Sequence, residues 1–129
     1  MESEDGPRLS DVTFSGGAGK EPSATVAIAM PDGEVARAEG TGDGPVDAIM
    51  RAIDAALGSS GRLLEYSVHS VTSGKDALGE ARVVCDIDGG RHTGIGVSPD
   101  VLEASAIAYL RAVAARRQEQ DERVVAGGV

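Results

Sequence analysis

The chain has 129 residues, with 21 acidic against 12 basic side chains and a formal net charge of −9, and its pI is near 4.6. That is one domain's length of polypeptide. An acidic chain whose only aromatic side chains are Phe14, Tyr66 and Tyr109 lacks both the basic footprint and the stacking platform of a nucleic-acid binder.

No apolar run approaches the roughly 18–20 residues that cross a bilayer, and the acidic start Met1-Glu2-Ser3-Glu4-Asp5 has the wrong charge for a secretory or transit peptide. The expected location is cytoplasmic, without membrane contact. A lone Cys85 forms no internal disulfide, and with two dispersed histidines it makes no zinc set. No metal and no other cofactor is expected.

Residues 1–8 and 118–129 are polar and without apolar periodicity, and read as disordered ends around a domain at residues 9–117. Leu9 to Phe14 is the first strand. Gly16-Gly17-Ala18-Gly19-Lys20 lacks the Gly-Lys-Ser/Thr ending of a phosphate loop and reads as a turn. Ala24 to Met30 alternates large with small residues, and Pro31-Asp32-Gly33 turns the chain into Glu34 to Gly40, which predicts a β-hairpin. Then the period changes. Val46, Ile49, Met50, Ile53 and Leu57 recur at helical spacing, with Pro45 in the first turn and Gly58 as the stop. The second half repeats the plan: strands at Leu63 to Thr72, Ala81 to Ile87 and Arg91 to Val97, with Asp88-Gly89 as a turn. After Ser98-Pro99-Asp100 comes a helix from Val101 to about Arg116.

The halves superimpose at a constant shift of 56 positions: Asp32-Gly33 falls on Asp88-Gly89, Gly40 on Gly96, Asp47 on Glu103, and Ala52 on Ala108. An ordered set of turn, glycine, acid and apolar positions marks an internal duplication of a βββα unit. The fold class is therefore α+β, two three-stranded sheets each with one helix in a single domain.

Three blocks are specific: Gly42-Asp43-Gly44-Pro45-Val46-Asp47-Ala48, the stretch from Tyr66 to Glu80, and Thr93 to Ser105. With them the chain resembles the C-terminal regulatory, dimerisation domain of 2-isopropylmalate and citramalate synthases, over roughly Leu9 to Arg116. The resemblance implies a homodimer, intertwined or face-packed. It also implies a feedback amino acid, leucine or isoleucine, bound between two such domains and signalling to a separate catalytic barrel. The barrel, its metal-binding histidines and its acetyl-CoA site have no counterpart in these residues, so no condensing activity is expected. Either the chain is a fragment of a longer enzyme or a free-standing copy put to another use, with a barrel synthase as a possible separate partner.

The Gly42-Asp43-Gly44-Pro45 loop opens a helix, and helix starts present free N–H groups to anions such as a small aliphatic carboxylate. The other reading is a tight connection. Asp43 and Asp47 serve as caps or receive a ligand ammonium group. Strand alternation puts Tyr66 and Ser70 on one face and His69 on the other. The resemblance implies an effector pocket lined by Val46, Leu63, Tyr66, Ser70, Ala77, Gly79 and Val101.

The alternative function is a small enzyme, an isomerase or cyclase, with Tyr66, His69, Asp47 and Glu103 as proton-transfer candidates. There Asp76 or Glu103 would orient His69, which otherwise reads as a satisfied interface or surface group. His92 reads as solvated, and Cys85 as a small buried residue.

Overall fold

The computed structural model describes residues 6–71 and 77–127, with side chains described as far as Glu122. The elements run β1 (Arg8–Gly17), β2 (Lys20–Ala29), β3 (Val35–Thr41), α1 (Pro45–Leu57), β4 (Gly61–Ser70), β5 (Gly79–Ile87), β6 (Gly90–Ser98) and α2 (Val101–Gly127). They form two antiparallel sheets, β1-β2-β3 and β4-β5-β6, each followed in the chain by a helix. This is the duplicated α+β plan read from the sequence.

The repeat extends to detail. The register of β1 on β2 shifts between Leu9 and Asp11, and that of β4 on β5 between Leu63 and Glu65, so both leading strands carry an irregularity near their start, two positions out of step with the 56-residue shift. In the second hairpin Asp88 and Gly89 both take positive φ, 50° and 85°, the pair that a tight two-residue hairpin turn requires.

Core packing explains the small residues that recur at the 56-residue spacing. Gly40 lies under the backbone of Arg51 and Ala52, and Gly96 under that of Ala104 and Ala108. Each helix therefore touches its sheet backbone to backbone. On α2 the runs Ala104-Ser105-Ala106, Ala108-Tyr109-Leu110 and Ala112-Val113 are all buried, which is more than one helical stripe. Two surfaces account for it: α2 packs on β5 and β6 and also touches α1 and β1, and the two units share one core.

A polar node pins the units together. The buried carboxylate of Asp54 on α1 accepts hydrogen bonds from the Tyr109 hydroxyl on α2 (2.6 Å), the Ser59 hydroxyl (2.7 Å) and the Gly61 N–H (3.3 Å), and pairs with Arg51 at 3.2 Å. Arg51 in turn donates to the Gly61 carbonyl at 2.6 Å. Gly61 is bare because Tyr109 lies where its Cβ would be. Burial, then the bonded carboxylate, push the Tyr109 hydroxyl pKa far up, so it stays a donor.

Two expectations are corrected. Helix α2 does not end near Arg116 but runs to Gly127, so the expected disordered tail at 118–129 is helical as far as Gly127. Periodicity missed this because polar contacts sustain the helix there. Arg116 is buried and donates to the Ile87 and Asp88 carbonyls and to Glu119, while Glu119 also meets His92 at 2.9 Å. Gln118 faces Glu122 one turn on, and arginine, glutamine and glutamate are good helix formers. His92 is accordingly a partnered, half-buried group rather than a solvated one. At the other end, Arg8 begins β1, Gly6 and Pro7 precede it, and residues 1–5 of the expected tail lie outside the described residues.

Two substitutions test this packing. Gly94→Val sets a Cβ against the Ala108 carbonyl, and denaturant titration should show a loss of at least about 1–3 kcal/mol, the usual cost of overpacking. Tyr109→Phe removes one donor from a buried carboxylate and should cost about 1.5–3 kcal/mol by the same measurement. Wild-type stability in Tyr109→Phe would show that the node does not join the units.

Candidate functional site

Two surfaces gather the residues singled out from the sequence, and they differ in construction. At the start of α1, Gly44 is the N-cap in extended conformation, with Pro45 in the first turn and no side chain capping the helix. Asp47, in the first turn, reaches back to accept the Asp43 N–H at 3.0 Å, and lies 3.7 Å from Arg51. Gly42 donates its N–H to the Pro22 carbonyl, and a Cβ there would strike Asp47 and the Ala48 nitrogen. This turn is tight because Gly42 presses on the helix start, whereas Gly44 has open space around it. Asp43 takes part through its backbone N–H and is not the cap.

The start of α2 is built the same way but closed. Asp100 Oδ1 accepts the N–H groups of Leu102 (2.8 Å) and Glu103 (3.3 Å), and the Ser98 hydroxyl bonds the Glu103 carboxylate. Asp47 and Glu103, equivalent in the repeat, thus both reach back from the first turn. Only the α2 start carries a side-chain cap.

The second surface is the inner face of β4. Tyr66 points toward α2 and its hydroxyl lies 2.7 Å from Ser105 Oγ, which also donates to the Val101 carbonyl. Next to it a groove of about 310 Å³ is lined by Val68, His69, Ser70, Ala77, Gly79 and Val101, among others. Its surroundings are apolar and uncovered: Tyr66 is 37% exposed, Val68 38%, Val101 44% and Val71 45%. Ser70, Ala77, Gly79 and Val101 are therefore brought together, with Tyr66 anchored on the same helix. Leu63 and Val46 are partly buried against the core instead, and neither they nor Gly42, Asp43 and Gly44 line this groove.

The proton-transfer candidates do not converge. His69 borders the groove but is paired with Glu80 at 2.7 Å, Glu103 is held by Ser98, and Asp47 belongs to the α1 turn. Asp76, the other proposed orienting partner of His69, lies outside the described residues. Cys85 is buried, and its thiol is pushed up to about 11, first by burial and then by the Asp54 carboxylate, with Arg51 acting in the opposite sense. Among the described residues no group of three or more His, Cys, Asp or Glu side chains is placed to hold a metal ion, and no helix is long and apolar enough to cross a membrane.

Ser105 was missed in the sequence because a serine inside an alanine-rich helix reads as filler. Its signal is the spacing of four from Val101, which lets the hydroxyl bond the carbonyl one turn back and still meet Tyr66.

Two βββα units folded around one core, with an open groove between β4 and the start of the second helix, define a duplicated α+β domain. Residues 1–116 match the LeuA allosteric (dimerisation) domain, and the chain belongs to that family. A 2-isopropylmalate synthase of Sediminispirochaeta smaragdinae is 49% identical over 92 residues, 71% of this chain and 18% of that protein. The corresponding figures are 45% over 105 residues, 81% and 31% for a 2-isopropylmalate synthase of Thermus thermophilus. For one from Xanthomonas campestris pv. campestris they are 42% over 125 residues, 97% and 24%. The chain spans less than a third of the length of these curated relatives.

The state of Cys85 is directly testable. At pH 8 a thiol reagent should leave the folded protein unlabelled and react fully only in denaturant, since the thiol is buried and protonated. Rapid stoichiometric labelling of the native chain would show a reactive cysteine instead.

Proposed function

We propose that this chain is a cytoplasmic, homodimeric regulatory domain that binds a branched aliphatic amino acid or a similar small carboxylate where two copies meet, and that it acts on a barrel synthase. The observation that carries the reading is the uncovered apolar surface around Tyr66, Val68, Val71 and Val101. In a chain with 21 acidic side chains such a patch is a natural place for a second copy to bury. The membership in an allosteric, dimerisation family supports it.

The groove suits an aliphatic side chain. Its volume of about 310 Å³ is at the small end of ligand sites, and Val68, Ala77, Gly79 and Val101 in its lining leave room for methyl groups, beside the polar His69 and Ser70. A carboxylate fits the α1 start, the helix start without a side-chain cap, where the macrodipole favours negative charge. Because that turn does not line the groove of its own chain, the reading asks the second copy to supply it.

Light scattering behind size exclusion should give a dimer at micromolar concentration, and calorimetry should give saturable heat with leucine or isoleucine. Tyr66→Ala should weaken that binding by about 1–3 kcal/mol, the worth of burying such a ring against the ligand, without unfolding the protein. A monomer that takes up neither amino acid overturns the reading, and unchanged affinity in folded Tyr66→Ala overturns the pocket.

A further inference from the structure

A concavity of about 770 Å³ lies away from the Tyr66 groove, between the beginning of β1, the end of β2 and α2 from Ile107 onward. Its lining follows α2 from Ile107 to Asp121, about 21 Å of helix at 1.5 Å per residue. The aliphatic surface comes from Leu9, Met30, Ile107, Leu110 and Ala114. Three arginines, Arg8, Arg111 and Arg117, belong to the same lining, against a single acidic residue, Asp121. In a chain of net charge −9 with 12 basic side chains, this is a local reversal of sign.

These arginines are not consumed by the fold. Arg111 and Arg117 each give one nitrogen to a backbone carbonyl, of Ile95 and Leu57 respectively, and retain the rest of a planar five-donor fork. Arg8 is exposed, and its side chain makes no hydrogen bond or ion pair to another described residue. Forked donors beside an aliphatic trough match a carboxylate attached to an apolar chain.

We infer that this groove is a second ligand site, specific for an extended aliphatic carboxylate without an ammonium group. Its length exceeds what a branched four-carbon side chain fills, and an ammonium group would meet three cations and only Asp121. The site lies along the later turns of α2, whereas the Tyr66 groove uses its first residue, Val101, so one helix carries both. The inference does not depend on the amino-acid reading: leucine would perturb Val68 and Val101, and this ligand would perturb Leu9, Ile107 and Leu110.

The test is a titration of the full chain with octanoate and, in parallel, octylamine, followed through methyl resonances. Octanoate should shift Leu9, Ile107 and Leu110 saturably, and octylamine should bind at least about tenfold more weakly, since a charge-assisted bond is worth about that factor. The double variant Arg8→Glu, Arg111→Glu alters two exposed side chains and should weaken octanoate by a further tenfold or more with an unchanged melting temperature. If that variant melts early, Arg8→Gln alone should still lower affinity. Equal response to octylamine, shifts confined to Val68 and Val101, or unaltered affinity in every folded variant would each overturn the inference. So would saturable binding of an acidic helical peptide with none of octanoate, which would make the groove a protein-docking surface.

Discussion

Asp54 is the buried polar point at which the two βββα units that share one core are locked together. Its carboxylate is buried, and burying a charge is costly unless it is fully bonded. The partners that satisfy it come from three places: its own helix through Arg51, the connection to the second unit through Ser59 and Gly61, and the far helix through Tyr109. Shared apolar surface alone would let the units slide past one another. A carboxylate with four directional partners fixes their relative position, and with it the geometry of α2 against both sheets.

That rigidity matters because α2 borders both grooves. The Tyr66 hydroxyl is tied to Ser105 near its start, and Arg116 holds its later turns to the β5–β6 hairpin through two backbone carbonyls. A small displacement of α2 would therefore be felt at the β4 face and at the β1 end together. Packed elements of this kind respond as bodies with few alternative arrangements.

Much of the architecture was legible because it rests on local signals. Pro45 and Gly58 bracket α1 as expected, and Gly58 indeed sits at positive φ as its C-cap. The Asp88-Gly89 turn and the 56-residue repeat carry their own chemistry. The first connection is tighter than the turn read over Gly16 to Lys20: β1 extends to Gly17 and β2 begins at Lys20, since glycine, lysine and glutamate give no strand signal although ladder pairing holds them, whereas β4 begins earlier, at Gly61, and ends earlier, at Ser70, than its sequence pattern. What one chain's sequence could not disclose was long-range pairing. Tyr109 and Asp54 are 55 residues apart, and nothing local marks either as the other's partner. The site was legible only in part for the same reason. Tyr66, Ser70, Ala77, Gly79 and Val101 share a surface, but Val46, Leu63 and the Gly42–Gly44 turn belong elsewhere in the same chain, and nothing local links Arg8 with Arg111 and Arg117, about a hundred residues on, in a common groove.

The node also records the history of the repeat. At the 56-residue shift Asp54 corresponds to Leu110, and Tyr109 to Ile53, both buried and apolar. The polar lock is therefore written once, across the copies, and not once in each. A protein assembled from two first halves would bury two carboxylates with no phenol to meet them, and one assembled from two second halves would hold two phenols and no acceptor. Whatever symmetric ancestor the duplication began from, the halves have since become complementary rather than equivalent. The domain is inherited as a matched pair, in which neither copy can replace the other.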